Sequence, residues 1–495
     1  MRLEQLINIH GKITWRTKTG DDEATSITAD SRAVQKGSIY VAVRGTQIDG
    51  HRFISDAVNK GAIGIIVEDI SQIPDFFDGV SIEVLDSRLA LQALSQRFYD
   101  KPGDQMTGIA VTGTNGKTSF TYILEHMLNS LEIPTGVIGT INHHLKDKVW
   151  DTNLTTPDPV TLQSRLKDFL NLGAKSFVIE ASSHALKQNR INQGFDICVF
   201  TNITRDHMDY HPTEEDYFMS KAKLFGAEMI KGEGLAVING DDPNGERLSV
   251  LAKDRETFLF GKDKYCDFRF EMREESLQKT EFKIHFPNKR STVVEIPILG
   301  EHNVYNFVAA IACVYLLNLN YRRAITLFSD FPGIPGRLQL YRSPNNVACF
   351  VDYAHTDDAL RKVLQHLNKL RPTKNSRILT VFGCGGDRDK TKRKFMGQIA
   401  HSLSDQVFIT SDNPRTEDPN KIIDDICENI DRSDSKVYIE PDRALAIKAA
   451  QSLAQPGDII LVAGKGHEDY QIIGEQKNHF SDYEQLKEAF EVSNG

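Results

Sequence analysis

Cysteine is scarce and scattered in this chain: six in 495 residues, none of them in a C-x-x-C pair. That excludes a disulfide framework and a cysteine-based zinc site, and it points to a reducing compartment. Basic charge is also in short supply. The formal net charge is -9, with no basic stripe, so a nucleic-acid partner is not expected. No apolar run approaches the roughly 20 residues a membrane-spanning helix needs, so no membrane insertion is expected either. The opening "MRLEQLINIHGK" carries Arg2 and Glu4 and no sustained apolar core, which is unlike a secretory leader. Internal repeats and low-complexity tracts are missing too. What these absences leave is a globular protein expected in the cytoplasm, and a monomer is expected. Its 40% hydrophobic and 26% charged residues are an ordinary balance for that class. Its length suits two to four domains better than one.

Three segments separate along the chain. The first, residues 1–104, has short strand-like runs, "SIYVAV" and "AIGIIVE", and closes on the turn-forming "KPGDQ". The second, residues 105–333, opens with "TGIAVTG". A helical pattern follows, in which Phe120, Ile123, Leu124, Met127, Leu128 and Leu131 recur at three- and four-residue spacing. The later runs "GVIGT", "SFVIEA", "ICVFTN" and "LAVIN" read as buried parallel strands. The third, residues 334–495, begins within the breaker-rich "FPGIPGR" and has its own strand set: "ACFVDY", "RILTVFG", "QVFITS", "KVYIE" and "DIILVAG". Strand–helix alternation in the last two segments predicts α/β, doubly wound sheets.

The stretch "VTGTNGKTS" is nearly a phosphate-binding loop. The common pattern has two glycines five positions apart, but here Val111 stands where the first belongs and the nearest earlier glycine is Gly113. The context of strand, glycine turn and helix is nonetheless what an anion site requires, with backbone N–H groups and the helix dipole aimed at the phosphate. Gly113, Thr114, Asn115, Gly116, Lys117, Thr118 and Ser119 therefore form a candidate ATP cradle. In it Lys117 reaches the transferable phosphate and the Thr118 hydroxyl can ligate Mg²⁺.

Several other residues carry chemistry by position. Glu180 ends the run "SFVIE", which puts a carboxylate at the C-terminal edge of a parallel strand, where such sheets collect ligands. His207 and His211 stand four apart. A zinc reading needs a helix there, which Pro212 disfavours, and two hydrogen-bonded loop histidines are the plainer alternative. In "DNPR", Asn413-Pro414 sets an extended or turn backbone. Arg415 can then present a planar fork to a carboxylate. Arg388 follows the glycine turn "GCGG" at the end of one strand-like run, and Glu468 follows "GKG" at the end of another.

The shortened "GTNGKT" loop resembles that of the Mur ligase family, ATP-dependent enzymes that extend the peptide stem of cell-wall precursors. So, in the family's order, do "TTPDP", "EASSHAL", "TNITRDHMDYH", "YFMSKAKLF", "NGDDP", "LGEHNVYNFVAA", "PGRLQ", "VDYAHTDDAL", "GCGGDRDKTKR", "DNPRTEDP" and "GKGHEDYQ". The resemblance implies three domains: a uridine-nucleotide-binding α/β domain, a central P-loop ATPase-like parallel-sheet domain and a C-terminal Rossmann-like domain. It implies that ATP activates a precursor carboxylate as an acyl phosphate, which an amine then attacks, with Mg²⁺ as the metal.

By the same resemblance, Thr118, Glu180, His207 and Lys221 are metal-associated residues. Lys221 would act as a carbamate (N6-carboxylysine) and is selected over Lys223 by the family spacing. Asn303 and Asn306 would lie near the adenine and Arg337 near the terminal phosphate. Ser31, Thr155, Thr156, Ser182, Gln188 and Arg190 would hold the UDP-linked peptide precursor, UDP-N-acetylmuramoyl-L-alanyl-D-glutamate. Arg388, Asp412, Asn413, Pro414, Arg415, Gly464 and Glu468 look like the signature of the meso-diaminopimelate-adding type, a lysine-adding relative being the alternative. Two departures are Asp357, where the family pattern has proline, and "HFSDYEQ", in place of a more acidic ending.

Other classes are weaker. "GCGGDR" suggests a dinucleotide-dependent oxidoreductase, but Arg388 occupies the position of the last glycine of G-x-G-x-x-G. A nucleotide-gated binding module would share the loop without substrate-dependent ATP hydrolysis. A folylpolyglutamate synthase would share the loop but not "DNPR" or "GKGHE".

Overall fold

The computed structural model describes residues 12–15, 23–45, 48–191 and 193–492. Most of the opening stretch read above for a leader, residues 1–11, lies outside them, as do residues 16–22. The chain divides into two compact units, residues 1–269 with 307–324, and residues 270–306 with 325–495.

In the first unit, β1 (Lys12–Trp15), β2 (Ser26–Thr28), β3 (Ser38–Val41), β4 (Gly64–Val67) and β5 (Val80–Glu83) form a sheet ordered β1-β5-β4-β3-β2. Only the β1–β5 pairing is antiparallel. A second sheet contains β6 (Thr107–Thr112), β7 (Thr135–Ile138), β8 (His143–Leu145), β9 (Lys148–Trp150), β10 (Ser176–Glu180), β11 (Phe195–Phe200), β12 (Ile230–Asn239) and β13 (Glu256–Gly261). Its order is β13-β12-β11-β6-β10-β7-β8-β9, parallel from β13 to β7. The central strands are apolar on both faces: Ile109, Ala110, Val111, Val178 and Ile179 are fully buried, as expected of strands covered by helices on each side. The helix Lys117–Ser130 buries the stripe Phe120, Ile123, Leu124, Met127 and Leu128 that its sequence spacing predicts.

The division passes through β14 (Phe268–Glu275), which β15 (Thr280–His285) and the antiparallel β16 (Ser291–Ile296) follow. The second unit's main sheet has β17 (Gln339–Arg342), β18 (Ala348–Asp352), β19 (Ile378–Phe382), β20 (Gln406–Ile409), β21 (Val437–Ile439) and β22 (Ile459–Ala463), ordered β17-β18-β22-β19-β20-β21. All its pairings but β17–β18 are parallel. A hairpin, β23 (Tyr470–Ile473) with β24 (Gln476–His479), follows. The breaker-rich stretch 331–337 connects a short 3-10 turn, Phe328–Asp330, to β17. Asp357 is acidic in the first turn of the helix Asp357–Lys369, behind a Thr356 cap. That placement suits the helix dipole, so the departure from proline is accommodated locally. No helix among the described residues is long and apolar enough to cross a membrane.

Candidate active site

In the first unit the functional residues gather at the C-terminal ends of β6, β10 and β11. The loop after β6 needs its glycines: a Cβ at Gly113 would lie 1.9 Å from Thr201 Oγ1, and Gly116 has φ +88° as the N-cap of the following helix. The end of β11 braces the loop. Thr114 N donates to Asn202 O (2.8 Å), Asn115 N to Asn202 Oδ1 (2.9 Å), and Thr201 Oγ1 to Asn115 O (2.6 Å). Lys117 curls back over the loop, its Nζ donating to Gly113 O (2.8 Å) and Thr114 O (3.0 Å).

Lys221 reaches the same carbonyl from the helix Glu214–Ala222, donating to Gly113 O at 2.8 Å. It is 2% exposed, and its Nζ lies 4.5 Å from the centre of the Tyr217 ring. Burial, reinforced by the Lys117 ammonium, pushes its amine well below the usual lysine range. Lys223, two residues on, points elsewhere, to Leu186 O.

Glu180 ends β10 almost fully buried and is held from three sides. Thr140 N (3.0 Å) donates to Oε1, while Thr140 Oγ1 (2.9 Å) and Thr118 Oγ1 (3.1 Å) donate to Oε2. Two of these donors were not singled out from sequence. They come from Thr140, just after the "GVIG" strand, where a Cβ on Gly139 would lie 2.3 Å from Glu180 Oε1. Glu180 and Thr118 are hard oxygen donors that fit Mg²⁺, which takes one or two carboxylates and fills the remaining positions with phosphate and water.

Thr155 and Thr156 lie beside this carboxylate. Thr155 Oγ1 lies 3.1 Å from Thr140 Oγ1, and Thr156 Oγ1 donates to Glu180 O (2.6 Å) with Ser182 Oγ 3.1 Å away. Arg190 donates to Thr156 O (3.3 Å) and to Gln188 Oε1, and Gln188 in turn donates to the Tyr210 hydroxyl. The chain therefore brings Thr155, Thr156, Ser182, Gln188 and Arg190 together. Gln92, from the helix Ser87–Phe98, donates to the carbonyl of Asn189 between them. Ser31 is buried elsewhere in this unit, its carbonyl accepting from Lys60 Nζ (2.8 Å).

The two histidines of "DHMDYH" part company. His207 has φ +54° in a turn, its side chain about half exposed. His211 is buried, with Nδ1 on Asp216 (2.7 Å) and Nε2 on Ser183 (3.0 Å). His184 stacks on Tyr210 at 4.0 Å and packs edge-on to His207 at 5.0 Å. Burial, aided by its histidine neighbours, lowers its pKa to about 4.

The second unit gathers its residues at the ends of β19, β20 and β22. Asn413 Nδ2 donates to Glu468 Oε2 (2.8 Å), while Asn413 Oδ1 accepts from Ile472 N (2.9 Å) and Lys465 Nζ (3.2 Å). Lys465 has no exposed side-chain surface, and its ammonium also lies 3.5 Å from Glu468 Oε2 and 3.7 Å from Asp412 Oδ1. Sequence reading passed over it, although it stands between the two glycines of "GKG". Burial, with the Asp412 charge beside it, raises the Glu468 pKa.

Arg415 has φ +52° and donates to Gly386 O (2.7 Å), and its backbone joins the hairpin through Ile472 O and Gly474 N. Gly386 sits where a Cβ would meet Pro414 O at 1.9 Å, and Gly464 has φ +116° with a Cβ position 2.7 Å from Asp412 Oδ2. Arg388 is exposed, and its one side-chain hydrogen bond among the described residues runs to its neighbour Asp387 O (3.5 Å).

Behind these loops Arg443 and Asp482 form a pair with both side chains fully buried, at 2.7 Å. Arg443 also donates to Ser411 O (3.3 Å) and Ala463 O (3.0 Å), the carbonyls just before Asp412 and Gly464. Asn303, in the first turn of the helix Glu301–Leu316, donates back to Leu299 O just before it, and Asn306 donates to Asn303 Oδ1 within the helix. The Arg337 guanidinium lies 5.0 Å from the centre of the Tyr353 ring.

The glycine cradle at one set of strand ends and the charged cluster at the other belong to a known class of ATP-using ligase: the chain is a member of the Mur ligase family. Residues 23–99 match the Mur ligase family catalytic domain, 111–314 the Mur ligase middle domain, and 336–466 the Mur ligase glutamate ligase domain. It is 40% identical over 473 residues to the UDP-N-acetylmuramoyl-L-alanyl-D-glutamate--2,6-diaminopimelate ligase of Thermosynechococcus vestitus, covering 95% of this chain and 93% of the relative. It is 41% identical over 471 residues to the enzyme of the same name from Aquifex aeolicus, covering 93% and 92%. A solved structure of a ligase of that name superposes with a TM-score of 0.74 at 32% identity, covering 100% of this chain and 99% of the other.

Proposed function

We infer that the chain is an ATP-dependent amide ligase that joins meso-diaminopimelate to UDP-N-acetylmuramoyl-L-alanyl-D-glutamate in the cytoplasm, in peptidoglycan precursor synthesis. The observation that carries the reading is the near-full-length likeness to ligases named for that amino acid, 40% identical over 95% of this chain. In this reading the precursor's carboxylate attacks the terminal phosphorus of ATP and ADP leaves. The amine then attacks the acyl carbon, phosphate departs, and the nitrogen loses its proton as the amide forms.

Charge grows on phosphoryl oxygens in the first step, and the chain's answer is positional. Lys117, now resting on the loop's own carbonyls, swings to the transferred phosphate. Mg²⁺, when bound by Thr118 and Glu180, would neutralise phosphate charge. Thr140 fixes the rotamer of Glu180. Lys221 suits carboxylation by CO₂, because that addition needs the neutral amine and burial favours it. The N–C bond forms and the nitrogen gives up a proton, leaving an anionic carbamate. Thr155, Thr156, Ser182, Gln188 and Arg190 would hold the precursor, with Ser31 at its uridine end. Arg415 and Arg388 would take the distal carboxylate of the amino acid and Glu468 with Asp412 its distal ammonium. Asn303, Asn306 and Arg337 would serve the nucleotide.

The test is amino-acid-dependent phosphate release with ATP, Mg²⁺ and the UDP-linked dipeptide, comparing meso-diaminopimelate with L-lysine. Release with the first and little with the second is expected. Equal rates would overturn the specificity, and no release with either would overturn the ligase reading.

A further inference from the structure

Lys465 is a lysine with no exposed side-chain surface that nothing in the reaction above uses. Its ammonium faces Asp412, Asn413 and Glu468, with the Tyr470 ring centre 5.6 Å away. Three arginines nearby are held differently. Arg443 is paired with Asp482, Arg415 donates to Gly386 O, and Arg388 is exposed. Counting formal charges at the ends of β20 and β22, two carboxylates face one resident cation. That leaves the cluster one net negative charge, with the guanidinium of Arg415 on the adjoining loop as a further cation.

We propose that Lys465 is a specificity-determining residue of the amino-acid pocket: its buried ammonium balances one of the two carboxylates, Asp412 and Glu468, so that the pocket has room for one ligand ammonium with one ligand carboxylate. This rests on the diaminopimelate reading and adds to it the way that choice is made. The far end of meso-diaminopimelate is a neutral zwitterion, whereas the far end of lysine is a bare cation. A pocket with its resident cation in place suits the zwitterion. The same pocket without that cation has two negative charges against Arg415 and is biased toward a ligand of net positive charge.

The geometry fits that division of labour. Glu468 turns Oε2 inward to Asn413 Nδ2 and Lys465, while its Oε1 makes no hydrogen bond among the described residues. Asn413 is fixed in one amide orientation, because both Ile472 N and Lys465 Nζ donate to its Oδ1. Lys465 therefore sets the pocket's charge and helps aim the free oxygen of Glu468, without reaching the ligand itself.

The experiment measures kcat/KM of the full chain for meso-diaminopimelate and for L-lysine, with saturating ATP and dipeptide precursor. Lys465→Met should lower the diaminopimelate-to-lysine ratio about tenfold or more, mainly through KM, as expected when a like-charge penalty replaces a matched site. Lys465→Arg should keep most of the ratio. Asp412→Asn removes a carboxylate and keeps the cation, so it should move the ratio the opposite way. That arm stands even where Lys465→Met fails to fold. A merely structural role lowers both substrates alike, so an unchanged ratio in a folded Lys465→Met, or in Asp412→Asn, overturns the proposal. If wild type shows no preference for diaminopimelate, the underlying reading fails instead.

Discussion

The phosphate cradle of the first unit and the amino-acid pocket of the second solve opposite problems with opposite materials. The cradle is made mostly of backbone: glycines that admit close approach, N–H groups at a helix start, and two lysines resting on the carbonyl of Gly113. Its lysines lean on backbone carbonyls of the loop. The pocket is made of charged side chains that hold one another, Lys465 among Asp412, Asn413 and Glu468, and Arg443 on Asp482 behind them. Chemistry and stability are therefore separable in the cradle and entangled in the pocket.

The largest effect that contrast predicts is in the cradle. Lys117→Ala should reduce phosphate release by about 10³-fold or more, the scale of losing a preorganised charge contact, while Tm stays near wild type. Near-normal turnover in a folded Lys117→Ala would end the assignment. Lys221→Arg keeps the charge but cannot become a carbamate, so it should be as inactive, and short-chain carboxylates should partly rescue Lys221→Ala. An active arginine variant would remove the carbamate.

Next comes the pocket's brace. Asp482→Asn leaves Arg443 buried without its counter-charge, a loss of about 3–5 kcal/mol of stability that thermal or denaturant unfolding reads directly. A Tm unchanged from wild type would show the two regions to be alike after all. Arg415→Ala should cost about 2–5 kcal/mol in kcat/KM for meso-diaminopimelate. ATP affinity should be untouched, and a parallel loss of nucleotide binding would contradict the separation.

The smallest effect sharpens the comparison by pH. Arg393, whose side chain is fully buried, and Lys390 hold the Glu417 carboxyl at about 2, below its ordinary 4.5. A depressed acid stabilises the fold above its unfolded pKa, and that contribution fades as pH falls from about 4.5 toward 2. The Tm gap between wild type and Glu417→Gln should therefore be full at neutral pH and close across that window.

The same contrast explains what the sequence could say. The cradle was legible because its parts are contiguous: an apolar run, glycines, G-K-T-S and a helical stripe all stand between Thr107 and Leu131. Glu180 was legible as a strand end. Its partner Thr140 was not, since nothing local links positions 140 and 180 until β7 and β10 pair. His207 and His211 share a motif but not a fate, because the turn sends one ring outward and the other onto Asp216 and Ser183. In the pocket, "DNPR" and "GKGHE" marked the loops. The burial of Lys465 follows from the sheet order β22-β19-β20, which brings together loops about fifty residues apart. Arg443 drew no reading, and Asp482 stood only inside the departure "HFSDYEQ", since nothing local links positions 443 and 482.

That hidden pair has a consequence for how the molecule is made. Arg443 steadies the carbonyls of Ser411 and Ala463 and is itself held by Asp482, at the start of the helix Asp482–Val492. Every residue proposed to face the amino acid precedes residue 469, yet the brace closes only at residue 482. On the ribosome, the cradle can mature while the rest of the chain is still being translated. The selective end of the enzyme must wait for the helix that carries Asp482 to emerge and dock.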